Sequence, residues 1–157
     1  MNKSISYFFC NYLARSVISV IGILVAACSS IPETKDHSPT VNYALTLQGK
    51  PYQYGKDSPE TGFDCSGFVK HVYQHQGILL PRTAEGMAQA LRSTPKNDLR
   101  SGDLVFFNTN GRPYSHVGIY INNDEFIHAP SQNTGKVLVS SLKNRYWSER
   151  FSCARRP

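Results

Sequence analysis

The sequence predicts an α+β fold in which N-terminal helices pack on an antiparallel β-sheet. Two observations carry that expectation. Capped segments with apolar residues at helical spacing lie before Pro95. After Pro95 the chain turns into short β-branched or aromatic runs separated by turn residues. Helices first and a meander of strands afterwards fit helices gathered on one side of an antiparallel sheet.

The first 27 residues stand apart from that fold. Lys3 and Arg15 flank a polar-aromatic stretch, and Val17 to Ala27 form an apolar run of 11 residues. A bilayer core needs about 20 apolar residues, so the run suits the core of a secretory signal better than a membrane span. It ends in Val25-Ala26-Ala27-Cys28, a lipobox-like sequence that marks Cys28 as the residue to be lipidated after cleavage. An ordinary signal cut near Ala27 and an uncleaved anchor are the alternatives. Ser29 and Ser30 follow Cys28 with no adjacent Asp, so outer-membrane sorting is expected, on the periplasmic face. Residues 28–39 read as a tether and 40–157 as the folded domain.

Within that domain Ser38 caps a short helix over Val41–Leu47, with Pro39 in its first turn and Gly49 after it. Pro51 to Phe63 is a long loop. The next helix runs from Cys65 to Gln76, with Asp64 as N-cap and Gly77 as stop. Its apolar positions Phe68, Val69, Val72 and Tyr73 recur at helical spacing. Thr83 to Leu91 is a further helix capped by Thr83. The strands are Asp103–Phe107, His116–Ile121, Glu125–Ala129, Val137–Ser140 and Arg150–Ala154.

Charge narrows the partners. The chain carries a net charge of +6. Without Lys3 and Arg15 the 17 basic residues become 15 against 11 acids, or +4 with histidine neutral. The basic residues are scattered, which argues against nucleic acid and allows an anionic polymer such as the cell wall. No cofactor motif is present, and a monomer is expected.

Cys65 is the chemically informative residue. A helix N-terminus carries positive potential and unpaired N–H groups, which favour a thiolate. A thiolate is the nucleophilic form of cysteine. It needs a base, and the base needs an orienting partner. A turn centred near residue 123 brings 117–119 opposite 127–129, so His116 and His128 become neighbours on paired strands. His116 is then the base, on a face shared with the helix start, and His128 its partner. A Cys65–Cys153 disulfide is the structural alternative. Zinc is a weak alternative, since no CxxC or HExxH spacing is present. His71 and His75 lie four apart on the helix, on a solvated or edge face. Asp64 reads as a cap, Ser66 and Gly67 as small residues permitting close approach, and Asp103 as structural.

These residues, with their flanking segments, bring a family into view. From about Val41 to Arg156 the chain resembles the NlpC-type bacterial cell-wall cysteine peptidases. The resemblance rests on Pro51-Tyr52-Gln53-Tyr54-Gly55, Thr61-Gly62-Phe63-Asp64-Cys65-Ser66-Gly67-Phe68-Val69, Leu80-Pro81-Arg82-Thr83, Ser101-Gly102-Asp103-Leu104-Val105-Phe106-Phe107 and His116-Val117-Gly118-Ile119-Tyr120. It is most similar to Spr-type murein endopeptidase lipoproteins. The resemblance implies a papain-like domain that hydrolyses amide bonds in peptidoglycan stem peptides. It carries the nucleophile onto Cys65, the general base and acid onto His116, and the third polar residue onto His128. It also implies an oxyanion- or substrate-binding tyrosine at Tyr52, with Tyr54 as the competing position. Gly55-Lys56 stands where the family often has Gly-Gly. A wall-binding module without activity and a papain-like amidase or acyltransferase remain the other readings.

Overall fold

In a computed structural model, the structure describes residues 37–157. The expected signal, Cys28 and most of the expected tether lie outside the described residues. Helix α1 (Pro39–Thr46) starts with Pro39 in its first turn, and the Ser38 hydroxyl accepts from the Val41 amide. The Pro51–Phe63 segment is not wholly irregular. It holds two-residue strands β1 (Asp57–Ser58) and β2 (Gly62–Phe63), paired antiparallel. Helix α2 (Cys65–His75) is capped as expected, with Gly67 N donating to Asp64 Oδ1 at 2.7 Å. Helix α3 (Ala84–Ala90) is capped by Thr83, whose hydroxyl accepts from Gly86 N.

A six-stranded antiparallel sheet follows in the order β3-β8-β4-β5-β6-β7. Its strands are β3 (Arg92–Thr94), β4 (Leu104–Phe107), β5 (His116–Tyr120), β6 (Glu125–His128), β7 (Leu138–Ser141) and β8 (Phe151–Arg156). Helix α4 (Arg145–Arg150) lies between β7 and β8. The expected sequence of helices and strands is thus present, with the β1–β2 pair, a 3-10 turn at Lys96–Asp98, β3 and α4 added. Edge strand β3 pairs with β8, and α4 occupies a stretch the sequence reading left without an element. Ile119 pairs with Ile127, the register expected from the turn. Asn123 and Asp124 both have positive φ, the conformation a type I′ hairpin requires.

Strand alternation divides the core. Leu104, Phe106, Val117, Ile119 and Ile127 face the apolar sides of the helices, meeting Phe68, Val69, Val72 and Met87. Val105, Phe107, Tyr120, Phe126 and Ala154 form a smaller cluster with Trp147 and Phe151. Asp103 is structural, as expected. Its carboxylate accepts from the Arg100 amide and from Arg156 at 2.7 and 2.8 Å, and it is 2% exposed, so the carboxylate is held away from water.

Gly67 is where α2 touches the β1 loop. A Cβ there would stand 2.2 Å from the Lys56 carbonyl oxygen, a backbone atom that cannot swing aside. Gly67→Ala should therefore cost about 3 kcal/mol or more, by overpacking rather than by helix propensity, which favours Ala. Urea unfolding of the variant checks this; a loss under about 1 kcal/mol would mean that the helix and loop can separate freely.

Candidate active site

The helix cap and the loops before it build one wall of a cleft. Asp64 is 8% exposed, yet its carboxylate is fully engaged. Oδ1 accepts from Gly67 N, Ser66 Oγ (3.3 Å) and Arg82 Nη1 (3.0 Å). Oδ2 accepts from Gly55 N (2.9 Å) and Arg82 Nη2 (2.7 Å). The cap role is thus as expected. The two-pronged pairing with Arg82 is new, since the sequence reading gave Arg82 no role.

Cys65 follows at the first position of α2 and lines a cleft of about 700 Å³. Tyr52 and Tyr54 line the same cleft. Tyr52 is half-buried and packs against the core, while Tyr54 is 81% exposed, which separates the two candidates by their rigidity. Burial raises the Tyr52 phenol, and the neighbouring Cys65 and Asp64 raise it further. Both Cys65 and Cys153 are free thiols, and Cys153 is half-buried on β8.

The charge state of Cys65 departs from the expectation of a favoured thiolate. Backbone amides of Val117 and Ser66 and the Ser66 side chain do pull its thiol down. Burial and the adjacent Asp64 carboxylate outweigh them and push it up. The residue keeps some solvent access, but its sulfur sits among dense protein.

His116 and His128 come together as the register demands. His116 Nε2 lies 2.7 Å from His128 Nδ1, and His128 Nε2 lies 2.9 Å from Ser140 Oγ. Ser140 extends the chain of hydrogen bonds onto β7, a third strand. The expected facing of His116 needs correction. Alternation turns Val117 toward the helices and the His116 ring toward Phe107 and Trp147. Contact with α2 comes instead through Val117, which shares the helix-side core cluster with Phe68 and Val69, against which Cys65 packs. Burial lowers His116 to about 4, and burial with His116 beside it lowers His128.

Trp147 covers this pair. Its ring stacks on His116 (27° between planes) and meets His128 and Phe126 edge-on. The clue in the sequence was that Trp147 is the single tryptophan, following Asn144, which caps α4. His71 and His75 lie apart from the cleft residues. Tyr43 bonds His71 through its hydroxyl and stacks on His75, which ties α1 to α2. Among the described residues no three His, Cys, Asp or Glu side chains are grouped to hold a metal.

A free cysteine starts α2, and a buried histidine pair spans the start of β5 and the end of β6. Comparison with known proteins gives the family. The NlpC/P60 family profile matches residues 49–156. Murein DD-endopeptidase MepH of Escherichia coli (strain K12) is 44% identical over 121 residues, covering 74% of this chain and 44% of that protein. Murein DD-endopeptidase MepS/Murein LD-carboxypeptidase of the same strain is 42% identical over 110 residues, covering 69% and 56%. The chain thus spans about half the length of these curated relatives. A crystal structure of an NlpC/P60 family protein from Bacillus cereus ATCC 10987 superposes with a TM-score of 0.70 at 31% identity, covering 74% of this chain and 38% of that one. The chain from Gly49 to Arg156 belongs to the NlpC/P60 family.

Proposed function

We propose that this protein is a cell-wall endopeptidase that hydrolyses amide bonds of peptidoglycan stem peptides or their cross-links. One observation carries the reading: Cys65 opens a helix on a cleft wall, and the neighbouring strand β5 begins with His116, bonded to His128 at the end of β6. Relatives named murein endopeptidases support the substrate class. Anchoring through a lipid on Cys28, on the periplasmic face of the outer membrane, completes the proposal. It would hold the enzyme beside its polymer.

The mechanism follows from the hydrogen-bond chain. His128 occupies Nε2 of His116, which leaves Nδ1 as the nitrogen that this mechanism requires to take the thiol proton. That nitrogen is a base only if Nε2 carries the hydrogen. His116 Nε2–H then donates to His128 Nδ1, and His128 Nε2–H donates to Ser140 Oγ. Ser140 Oγ can accept this bond, so the chain accommodates the useful tautomer. Cys65 and His116 both rest neutral near pH 7, because burial moves each away from its charged form. This supports proton transfer during attack rather than a standing ion pair.

The thiolate adds to the stem-peptide carbonyl. The Tyr52 hydroxyl and the Cys65 amide donate to the oxyanion. His116 returns the proton to the leaving amine, forming an acyl-enzyme. It then takes a proton from water, which attacks the acyl carbon; the carbon–sulfur bond breaks, the carboxylate product leaves and His116 returns the proton to the Cys65 sulfur.

Two expectations follow. Cys65→Ala should stay folded and lose release of muropeptides from purified sacculi by at least about 10³-fold. Chromatography and mass spectrometry of the digest read this and identify the bond; wild-type release by Cys65→Ala would leave a wall-binding module as the better reading. The second expectation concerns acid. Histidines of the unfolded chain titrate near 6.5, above the folded values, so the unfolded chain takes up protons first as pH falls. Stability is full above about pH 6.5 and is lost as pH drops toward about 4. The slope should reach about 1.4 kcal/mol per pH unit for each buried histidine. His128→Asn should flatten the fall between pH 6.5 and 5 by one proton, measured by urea unfolding.

A further inference from the structure

We propose that Arg82 is a positioning residue whose guanidinium, spread across both oxygens of Asp64, neutralises that carboxylate and so allows Cys65 to ionise. The inference rests on the reading of Cys65 as nucleophile, but not on any substrate.

Asp64 immediately precedes Cys65, and its carboxylate is almost wholly buried against the start of α2. It is needed there, because it caps the helix and holds the Gly55 loop. A buried negative charge beside the sulfur opposes a second one, since water is not there to screen the repulsion. The fold therefore carries a conflict between capping α2 and ionising its first residue.

Arg82 resolves it by geometry. Its two terminal nitrogens lie 3.0 and 2.7 Å from the two carboxylate oxygens, a fork-to-fork pairing that sets the positive charge against both. Nη1 also donates to Ser66 Oγ at 3.1 Å, and Nη2 to the Lys56 carbonyl at 3.4 Å. The guanidinium is thus fixed on the cleft wall that carries Cys65. Its positive charge and a sulfur anion attract each other directly as well.

Other charged groups do not substitute for it. Lys70 pairs with Asp57, whose carboxylate also lies 3.9 Å from Arg82 Nε. Glu85 and Arg112 line the cleft with opposite charges. Tyr52 near the sulfur is a raised, neutral phenol, and His116 rests neutral. Among the described residues around Cys65, Arg82 is the cation bonded to the group that opposes the thiolate.

The test is the pH dependence of Cys65 alkylation by iodoacetamide in the full chain. Mass spectrometry of the Cys65 peptide keeps the other cysteines out of the reading. Arg82→Gln should raise the midpoint by about one pH unit and slow labelling at pH 7 about tenfold. Arg82→Lys keeps the charge and should stay within about threefold of wild type. Asp64→Asn still caps the helix and should speed labelling at pH 7 by a few-fold. The double variant lacks both charges and should return to within about threefold of wild type.

An unchanged midpoint in Arg82→Gln overturns the inference, as does Asp64→Asn labelling no faster than wild type. Arg82→Lys as slow as Arg82→Gln would assign Arg82 a steric role only, and overturns it too. If Arg82→Gln does not fold by circular dichroism, Asp64→Asn decides alone. No arm uses peptidoglycan, so failure to cleave sacculi leaves this result standing.

Discussion

Everything at the mouth of the cleft hangs on the Asp64 carboxylate. Five hydrogen bonds converge on it from three stretches of chain: the Gly55 loop, the first turn of α2 and Arg82 beyond α2. Burying a charge this far costs several kcal/mol unless it is paired and fully bonded. Here both conditions hold, so the cost is offset only when all three stretches are in place together. That makes the site cooperative. A loop that drifts leaves a buried carboxylate short of partners, and this penalty holds the backbone amides near the Cys65 sulfur.

The histidine pair depends on a different constraint, strand register. The Asn122–Glu125 turn fixes Ile119 against Ile127, which places Gly118 opposite His128 and leaves His116 on the diagonal. A one-residue slip would send either ring to the helix side of the sheet. Gly118 makes room for the arrangement. A Cβ there would stand 2.7 Å from the Phe126 ring and 3.1 Å from His128 Cβ, forcing the strands apart just where the rings must meet. Trp147 then closes the pair from the outer face. The same closure that steadies the rings also dehydrates them, which is why both are poor cations.

Much of this was legible in the sequence because it was local. Asp64 before Cys65, Thr83 before Ala84 and Ser38 before Pro39 are caps, and capping is decided within four residues. The Asn122–Asp124 turn likewise set the β5–β6 register from three residues. What escaped depended on distant chain. Arg82 is eighteen positions from Asp64, and nothing in its own neighbourhood indicates a carboxylate partner. Strand β3 has only three residues and takes its identity from β8, more than sixty residues on. Helix α4 is a six-residue segment with no buried residue, so no apolar period marks it. The facing of His116 was misread because a strand end can serve either face, and only the packing of Val117 decides which. The thiol's charge was misread for a related reason. The helix N-terminus is visible in sequence, whereas the burial that outweighs it is a property of the assembled fold.

The layout of the sheet also separates the cleft from the point where the N-terminal segment enters. His37 bonds Asn122, and the Ser38 amide donates to Ser101 Oγ, both at the end of the sheet where β5 finishes and β4 begins. Cys65, Ser115 and the other cleft residues gather at the opposite end, where β5 begins. Five residues of β5 lie between, about 16 Å of extended chain. The described chain therefore begins at the end of the sheet remote from Cys65, with the whole length of β5 between its first residues and the cleft.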